Sequence, residues 1–225
     1  MAAPKLLKKI SRQLALEIVH NAFALAREGK VDEAVAELAA NNVGPDTFYA
    51  GKKRRLLKLI VESIEEKTRF TDNEFDLAFL DKVIDLGCDL DWQDDYGLTC
   101  LHYAAGKCSK LDVVRLLLKR GANPNLLSDS SKMGLTLTAL GEALYGFNPY
   151  FQEASAQIIE ALILGGADVN LPYCFRGGDE TLLAWMTRIP DDAYKYGLAK
   201  KAFFAAIAKR DALKQTPQET ETPNA

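Results

Sequence analysis

The chain has 225 residues, with 28 basic and 31 acidic side chains, a formal net charge of −3 and 48% hydrophobic residues. This composition is typical of a folded chain and excludes wholesale disorder or a fibrous repeat. A small negative net charge also argues against general nucleic-acid binding, which requires a strong basic field. The charge is uneven, because residues 1–70 carry 13 basic and 9 acidic side chains and the remainder carries 15 and 22.

No segment has the pattern of a membrane span or a signal peptide. The most apolar stretch near the start, residues 14–26, contains Glu17, His20 and Asn21 and is therefore amphipathic. The cysteines form no CxxC pair and fit no zinc spacing, and they are Cys88, Cys100, Cys108 and Cys174. We expect free thiols, no metal, no cofactor and a cytoplasmic protein, with a secreted or periplasmic mature form as the alternative.

The first third of the chain predicts two helical pairs. Residues 11–45 have a helix–Gly–helix rhythm around Gly29, and Asn42 stands where a left-handed closing residue is expected. A tetratricopeptide-like helical hairpin would have a similar pattern. Residues 56–67 place apolar side chains on one helical face and predict a helix that pairs with residues 75–86.

A basic run, Lys52-Lys53-Arg54-Arg55, precedes the second of these pairs. Such a run is compatible with a nuclear signal or a phosphate contact. Three glutamates follow it on the predicted helix, which favours a solvated charged face.

Three short strings recur further along the chain, and each follows an apolar helical run. They are Gly87-Cys88-Asp89-Leu90-Asp91, Gly121-Ala122-Asn123-Pro124-Asn125 and Gly166-Ala167-Asp168-Val169-Asn170. A glycine that closes an apolar helix predicts a left-handed C-cap, where a Cβ would clash. The glycines are therefore expected to mark the ends of successive structural repeats.

A second string lies between the first two of these and begins a helix. It reads Gly97-Leu98-Thr99-Cys100-Leu101-His102-Tyr103-Ala104-Ala105, with looser copies that start at Thr138 and Thr181. Residues 94–125 closely resemble the ankyrin repeat, whose pattern is a turn, G-x-T-P-L-H-x-A-A and a second helix ending V-V-x-L-L-L-x-x-G-A-D-V-N. The resemblance implies an all-α solenoid of antiparallel helix pairs with β-hairpin-like fingers between repeats.

The resemblance assigns structural roles to the positions that match the family pattern. It implies that Thr99 and His102 hydrogen-bond locally and tie the finger to the helices, and that Ala104 and Ala105 allow close helix approach. The structural positions are Gly87, Gly97, Thr99, Leu101, His102, Ala104, Ala105, Gly121 and Gly166.

The repeat spacing predicts a domain organisation of about five helical pairs. We expect an N-terminal cap at residues 1–70, an array with a C-terminal capping helix at 71–210, and a disordered tail at 211–225. Pro190 is expected in the first turn of the last helix, with Asp191 and Asp192 favouring the helix dipole. Two irregularities stand out, a finger lengthened around residues 126–133 and an insertion at 146–153.

The resemblance implies a non-enzymatic protein–protein interaction module that is monomeric by itself and binds one partner protein, as an adaptor or a stoichiometric inhibitor. Partners are expected at the finger tips and the exposed face of each first helix. The candidate binding residues are Trp92, Asp95, Tyr96, Leu98, Tyr103, Lys107, Leu135, Leu137, Glu142, Tyr145, Phe147, Tyr150, Trp185 and Arg188.

Two local features refine this expectation. The finger at residues 89–96 places Trp92 and Tyr96 among four acids, which suits a basic and partly apolar partner; the alternative is a solvated turn. The insertion carries four aromatics in residues 145–151, which either anchor a partner or fill the gap that the longer loop creates.

Two other functions remain as alternatives. Paired acids could perform acid–base chemistry in the poorly matched segments, with Asp179, Glu180 and Asp191 as candidates. The basic first third of the chain could bind nucleic acid.

Overall fold

The computed structural model describes residues 9–44, 47–49, 55–67, 74–106, 110–128, 135–175 and 180–215. These residues form ten α-helices and four strands of two residues each. The helices are α1 Arg12–Arg27, α2 Val31–Ala40, α3 Leu56–Lys67, α4 Glu74–Asp85, α5 Cys100–Gly106, α6 Leu111–Lys119, α7 Ala139–Tyr145, α8 Gln152–Leu164, α9 Leu182–Arg188 and α10 Tyr194–Gln215. The strands are β1 Lys9–Ile10, β2 Phe48–Tyr49, β3 Leu135–Thr136 and β4 Cys174–Phe175.

The described helices stack in two layers. Each odd-numbered helix is followed by its even-numbered partner, which gives five pairs within the described part of the chain. In one layer α1, α3, α5 and α7 pack in succession, and in the other α2, α4, α6, α8 and α10 do so. This arrangement confirms the predicted all-α solenoid.

The core runs through the stack between the two layers. Leu101 and Ala104 of α5 are fully buried, and Ala105 is 3% exposed, so small and large side chains alternate where helices meet. In the first pairs, Phe23 of α1 meets Phe79 of α4 edge to face, with ring centroids 5.1 Å apart. Each such buried side chain contributes about 2 kcal/mol, so neighbouring pairs stabilise one another.

Left-handed residues end the helices where the repeated strings predict them. Gly87, Gly121 and Gly166 have φ angles of +89°, +92° and +95°. Asn42 has φ +52°, so this asparagine occupies the closing position that the sequence predicts for it.

Hydrogen bonds between the repeated strings link each repeat to the next. The Asp91 carboxylate accepts from the backbone N–H of Asn123 at 2.8 Å. One repeat later, the Asn125 side chain accepts from the backbone N–H of Asp168 at 2.8 Å and donates to the Gly166 carbonyl at 3.1 Å. The last residue of each string therefore caps the string that follows.

Two separate pairs of short strands are present among the described residues. One pair joins two fingers and the other lies in the N-terminal segment. β3 pairs with β4 in antiparallel register, Leu135 opposite Phe175, and β1 pairs with β2 in parallel. At the base of the lengthened finger, Ser128 and Leu137 exchange two hydrogen bonds, from Ser128 N–H to the Leu137 carbonyl and from Leu137 N–H to Ser128 Oγ. The segment between them, residues 129–134, lies outside the described residues.

The C-terminal helix differs from the prediction at both ends. It begins at Tyr194, so Pro190 precedes the helix and does not lie in its first turn. Asp191 pairs with Lys200 at 2.8 Å, and the Lys200 amine also donates to the Ile189 carbonyl at the end of α9. The helix continues to Gln215, which contradicts disorder at 211–215; residues 216–225 lie outside the described residues.

The boundary at residue 70 stays a prediction, since residues 68–73 also lie outside the described residues. Among the helices that the structure describes, none is long and apolar enough to cross a membrane.

Candidate partner-binding surface

Thr99 and His102 form a buried hydrogen-bonded unit at the start of α5. His102 Nδ1 accepts from the Thr99 backbone N–H at 3.2 Å and lies 2.8 Å from Thr99 Oγ1. With Nδ1 accepting, the Nε2–H donates to the Leu137 carbonyl at 3.1 Å. Burial lowers the pKa of His102 to about 4, although hydrogen bonds to backbone carbonyls oppose this shift. His102 is therefore neutral at pH 7 and joins α5 to the start of the next repeat.

A buried charge cluster joins the N-terminal pairs to the first finger. Lys58 of α3 and Asp94 of the finger form an ion pair, with side chains only 2% and 3% exposed. The Lys58 amine also donates to the Tyr103 hydroxyl at 2.6 Å, and that hydroxyl donates to the same Asp94 oxygen at 2.9 Å. The sequence did not predict this cluster, because Lys58 lies off the apolar face of its helix.

Asp94 in turn organises the turn that follows it. Its second carboxylate oxygen accepts from the backbone N–H groups of Tyr96 at 2.8 Å and Leu98 at 3.1 Å. Burial acts to raise the pKa of Asp94, but the hydrogen bond and charge of Lys58 and the two backbone donors outweigh burial and lower it. Asp94 is therefore an ionised residue with a structural role, and its carboxylate is not available to a partner protein.

The sequence predicts that the finger binds a basic partner. In the structure, the chain itself places a basic side chain, Arg55, against this finger. The Arg55 guanidinium lies over the Trp92 ring, 5.1 Å from its centroid, and 3.8 Å from the Asp89 carboxylate. Asp91 caps the next repeat and Asp94 pairs with Lys58. Lys52, Lys53 and Arg54 of the basic run lie outside the described residues.

On this finger, Asp95 is exposed, while Tyr96 and Leu98 are half-buried. These three residues stay candidates for binding. The predicted exposure of Trp92 is only partial, because the ring is half-buried beneath Arg55.

The structure places three of the candidate binding residues in the core and not on the surface. Tyr103 is 6% exposed and is held by the Lys58 cluster. Leu137 is 1% exposed beneath His102, and Phe147 is 3% exposed. Phe147 thus fills the gap that the inserted loop creates, which was the alternative interpretation of that loop. Lys107 and the side chain of Leu135 lie outside the described residues.

The inserted loop nevertheless presents aromatic side chains to solvent. Residues Pro149–Phe151 form a short 3-10 helix, and Asn148 caps it by accepting from the Tyr150 N–H at 2.9 Å. Tyr150 is 84% exposed and Tyr145, at the end of α7, is 44% exposed.

A continuous group of aromatic side chains lies across the last two helix pairs. Tyr173 stacks on Trp185, with centroids 4.1 Å apart and planes at 24°, and Tyr196 meets Trp185 edge to face at 5.3 Å. Burial, and to a smaller extent the charge of Tyr145, raise the pKa of Tyr196. We call the surface formed by Tyr173, Trp185 and Tyr196 the aromatic face.

Tyr173 and Tyr196 were missed as candidates, because they lie in a finger and at the start of a helix with no common sequence period. Their only sequence signal is that both are aromatic and lie within 12 residues of Trp185 on either side. Arg188, one turn beyond Trp185 on α9, is exposed and engaged by Glu180 through two hydrogen bonds of 3.0 and 2.8 Å.

The candidate acid–base residues do not come together among the described residues. Glu180 is bound to Arg188 and Asp191 to Lys200, and Asp179 lies outside the described ranges. Within those ranges, no group of three or more His, Cys, Asp or Glu side chains could hold a metal ion.

Comparison with known proteins gives a consistent family assignment. Residues 96–129 match the family model of the ankyrin repeat. A Bos taurus protein named "Ankyrin repeat, SAM and basic leucine zipper domain-containing protein 1" is 30% identical over 130 residues, covering 57% of this chain and 26% of the relative.

Two further relatives share shorter segments. A putative ankyrin repeat protein of fowlpox virus is 43% identical over 49 residues, covering 22% of this chain and 10% of the viral protein. The Homo sapiens "Ankyrin repeat and MYND domain-containing protein 1" is 36% identical over 85 residues, covering 35% and 7%. The chain thus aligns with about a quarter or less of the length of each of these relatives.

Proposed function

The chain is an ankyrin-repeat protein, and we propose that it acts without catalysis, by binding one partner protein. Repeats of this family form protein–protein interaction modules. The adaptor role and the role of a stoichiometric inhibitor both follow from such binding, since each depends only on what the array covers.

This proposal rests on a contrast between two groups of side chains, those that make contacts within the array and those that the fold leaves exposed. The family positions are used internally: His102 joins two repeats, the strings at Asp91 and Asn125 cap their neighbours, and the glycines end helices. In contrast, Tyr145 and Tyr150 are large apolar side chains that the fold leaves exposed. Exposed aromatics on an otherwise well-packed array are typical of an interaction surface.

The cysteines support a reducing compartment such as the cytoplasm. Cys100 is a free thiol that is buried at the start of α5, where burial raises its pKa far above the ordinary value. A buried thiol with a raised pKa is a poor nucleophile and packs as a small apolar side chain.

The proposal is tested by affinity capture from the native source, followed by reconstitution with the purified captured protein. We expect a saturable complex of one array with one partner, measured by calorimetry and sedimentation. The test variant is Tyr145→Ala, which should weaken the complex. Leu86→Ala is its control and should leave the complex unchanged, since Leu86 is exposed to a similar extent, 42% against 44%, but follows α4, away from the aromatic face.

Adaptor and inhibitor are separated by the partner's own activity in the reconstituted complex. An inhibitor abolishes that activity at equimolar ratio, and an adaptor leaves it unchanged while still permitting a second protein to bind. Failure to reconstitute any complex, or turnover of a small molecule by the purified chain alone, would contradict the proposed function.

A further inference from the structure

We propose that the array divides at the boundary between the second and third helical pairs, and that α1–α4 detaches and unfolds there as one unit. We call this place the central boundary, with α3 and α4 on one side and α5 and α6 on the other. The ion pairs of Arg120 hold it closed in a salt-dependent manner. This property belongs to the chain itself and requires no partner protein.

The first two helical pairs are closely joined to each other. Helix α1 contacts both α3 and α4, and α2 packs along α4. The rings of Phe23 and Phe79 meet edge to face in the core between the pairs. The Arg27 guanidinium binds both carboxylate oxygens of Asp76, at 2.9 and 2.7 Å, and that side chain is 3% exposed. Because apolar and buried polar contacts both cross this boundary, α1–α4 should open together and not one pair at a time.

The third and fourth pairs are also closely joined, in both layers. A Cβ added to Gly146 would come within 2.6 Å of the Gly106 carbonyl oxygen, so the ends of α5 and α7 are in direct backbone contact. In the other layer, Leu118 of α6 packs so closely on Gly165, just after α8, that a Cβ there would lie 2.8 Å from the leucine Cδ1. Small residues therefore let the helices of these two pairs approach each other closely.

The central boundary is held differently. Among the described helices, α3 with α5 and α4 with α6 make the least extensive contacts between successive pairs. Charged side chains connect the two sides in both layers. In one layer the Lys58 amine of α3 donates to the Tyr103 hydroxyl of α5. In the other layer Arg120, directly after α6, reaches back to Asp81 and Asp85 of α4.

The two connections differ in their exposure to solvent. The Lys58 side chain is 2% exposed, so dissolved ions screen its contacts weakly. The Arg120 guanidinium lies 2.9 Å from an Asp81 carboxylate oxygen, donates to the Asp81 carbonyl at 3.2 Å and also binds the Asp85 carboxylate. The side chains of Asp81 and Asp85 are 46% and 57% exposed. Salt should therefore weaken the Arg120 contacts and leave the Lys58 contacts in place.

The N-terminal side of the central boundary is the side that should open first. It contains two helical pairs, whereas the other side contains three pairs that stabilise one another. Beyond the boundary, α10 packs along α8, and Trp185 of α9 stacks on Tyr173. Opening of α1–α4 should therefore require less free energy than opening of α5–α8.

Native-state hydrogen exchange of the full chain, measured over a series of low urea concentrations, tests this proposal. The reporters are amides of fully buried residues, Val19 of α1 and Leu80 of α4 on one side, and Leu144 of α7 and Ile159 of α8 on the other. Exchange is measured at about 0.05 M and about 0.5 M NaCl, between which the electrostatic screening length falls from roughly 14 Å to roughly 4 Å.

The test variant is Arg120→Met, and Arg188→Met is its matched control. Arg188 also binds a carboxylate through Nε and Nη2, at 3.0 and 2.8 Å from Glu180, but both residues lie beyond the central boundary. The double variant Asp81→Asn/Asp85→Asn removes the same ion pairs from the other side and should repeat the effect of Arg120→Met. Circular dichroism of each variant verifies that the fold is retained.

In the wild type, Val19 and Leu80 should share one opening free energy and one urea dependence, both smaller than those of Leu144 and Ile159. At low salt, Arg120→Met should speed exchange of Val19 and Leu80 about fivefold. At high salt this difference from the wild type should largely disappear. Arg188→Met should leave the exchange of Val19 and Leu80 unchanged at both salt concentrations.

One opening free energy shared by all four amides would overturn the inference, because the array would then open as a whole. A lower opening free energy for Val19 than for Leu80 would also overturn it, since the pairs would then open one at a time. If Arg120→Met leaves Val19 and Leu80 unchanged, or changes them equally at both salt concentrations, Arg120 does not hold the boundary closed.

Discussion

Replacing Lys58 by methionine tests the connection between the N-terminal helical pairs and the first finger. The ion pair of Lys58 with Asp94 is almost fully buried, and removal of one member of such a pair costs about 3–5 kcal/mol. Asp94 keeps the hydroxyl of Tyr103 and two backbone N–H donors, so we expect the lower end, about 3 kcal/mol. For a chain of this size, that corresponds to a fall in the thermal midpoint of about 6–12 °C.

The loss depends on pH with a defined sign. The folded-state pKa of Asp94 lies below its unfolded value, so its ionisation stabilises the fold above the unfolded pKa of about 4, and this contribution is lost as the pH falls through the folded pKa. In Lys58→Met the carboxylate has no cation and protonates more readily. The difference between wild type and variant should therefore be full at pH 7 and shrink below about pH 4.

Urea denaturation followed by circular dichroism measures the global effect, and hydrogen exchange measures the local one. The Tyr96 and Leu98 amides, which donate to Asp94, should exchange faster in the variant. The double variant Lys58→Met/Asp94→Asn should recover part of the loss, because the buried charge of Asp94 is removed together with that of Lys58. As a control, Lys209→Met removes an exposed pair with Glu160 and should leave the midpoint unchanged.

A loss below about 1 kcal/mol in Lys58→Met, or a loss that is the same at pH 3 and pH 7, would refute this reasoning. Either result would mean that the charges are solvated and do not hold the finger.

Three further predictions concern single positions. Because His102 titrates near pH 4 when folded and near 6.5 when unfolded, stability should fall by about 2 kcal/mol between pH 7 and pH 5 in urea titrations, and His102→Gln should lose most of this dependence. Asn125→Ala removes two hydrogen bonds between repeats and should cost about 1 kcal/mol, with faster exchange of the Asp168 amide; unchanged exchange would contradict the capping role. Gly146→Ala should cost about 2 kcal/mol or more in the same titration, since its Cβ would meet the Gly106 carbonyl oxygen; a neutral effect would show that α5 and α7 separate readily.

Local chemistry explains which parts of the fold the sequence could predict. Closing glycines, the left-handed Asn42 and the helix starts at Thr138 and Thr181 follow from rules that act within a few residues. The two-layer stack follows from the spacing of these signals along the chain. The last helix was misplaced because Pro190 can stand either before a helix or in its first turn, and the choice is made by contacts of Asp191 with Lys200.

The candidate site was less predictable, because its parts are distant in sequence. Lys58 and Asp94 are 36 residues apart, and a lysine among leucines in a helix gives no indication of the carboxylate that it meets. In the inserted loop, Phe147 is buried and Tyr150 is exposed, although both are aromatic and three residues apart. The difference in exposure arises because the backbone turns into the 3-10 helix at Pro149–Phe151, between the two rings.

The central claim, that a partner protein binds the exposed aromatic side chains of the array, is tested most directly by hydrogen exchange of the chain alone and in complex with its purified captured partner. The account predicts slower exchange in the complex at the end of α7 and in the inserted loop, around Tyr145 and Tyr150, and at residues 185–196. It predicts no change at the control position Leu86, which directly follows α4. Protection confined to the finger at residues 89–96, with the aromatic face unchanged, would contradict the claim.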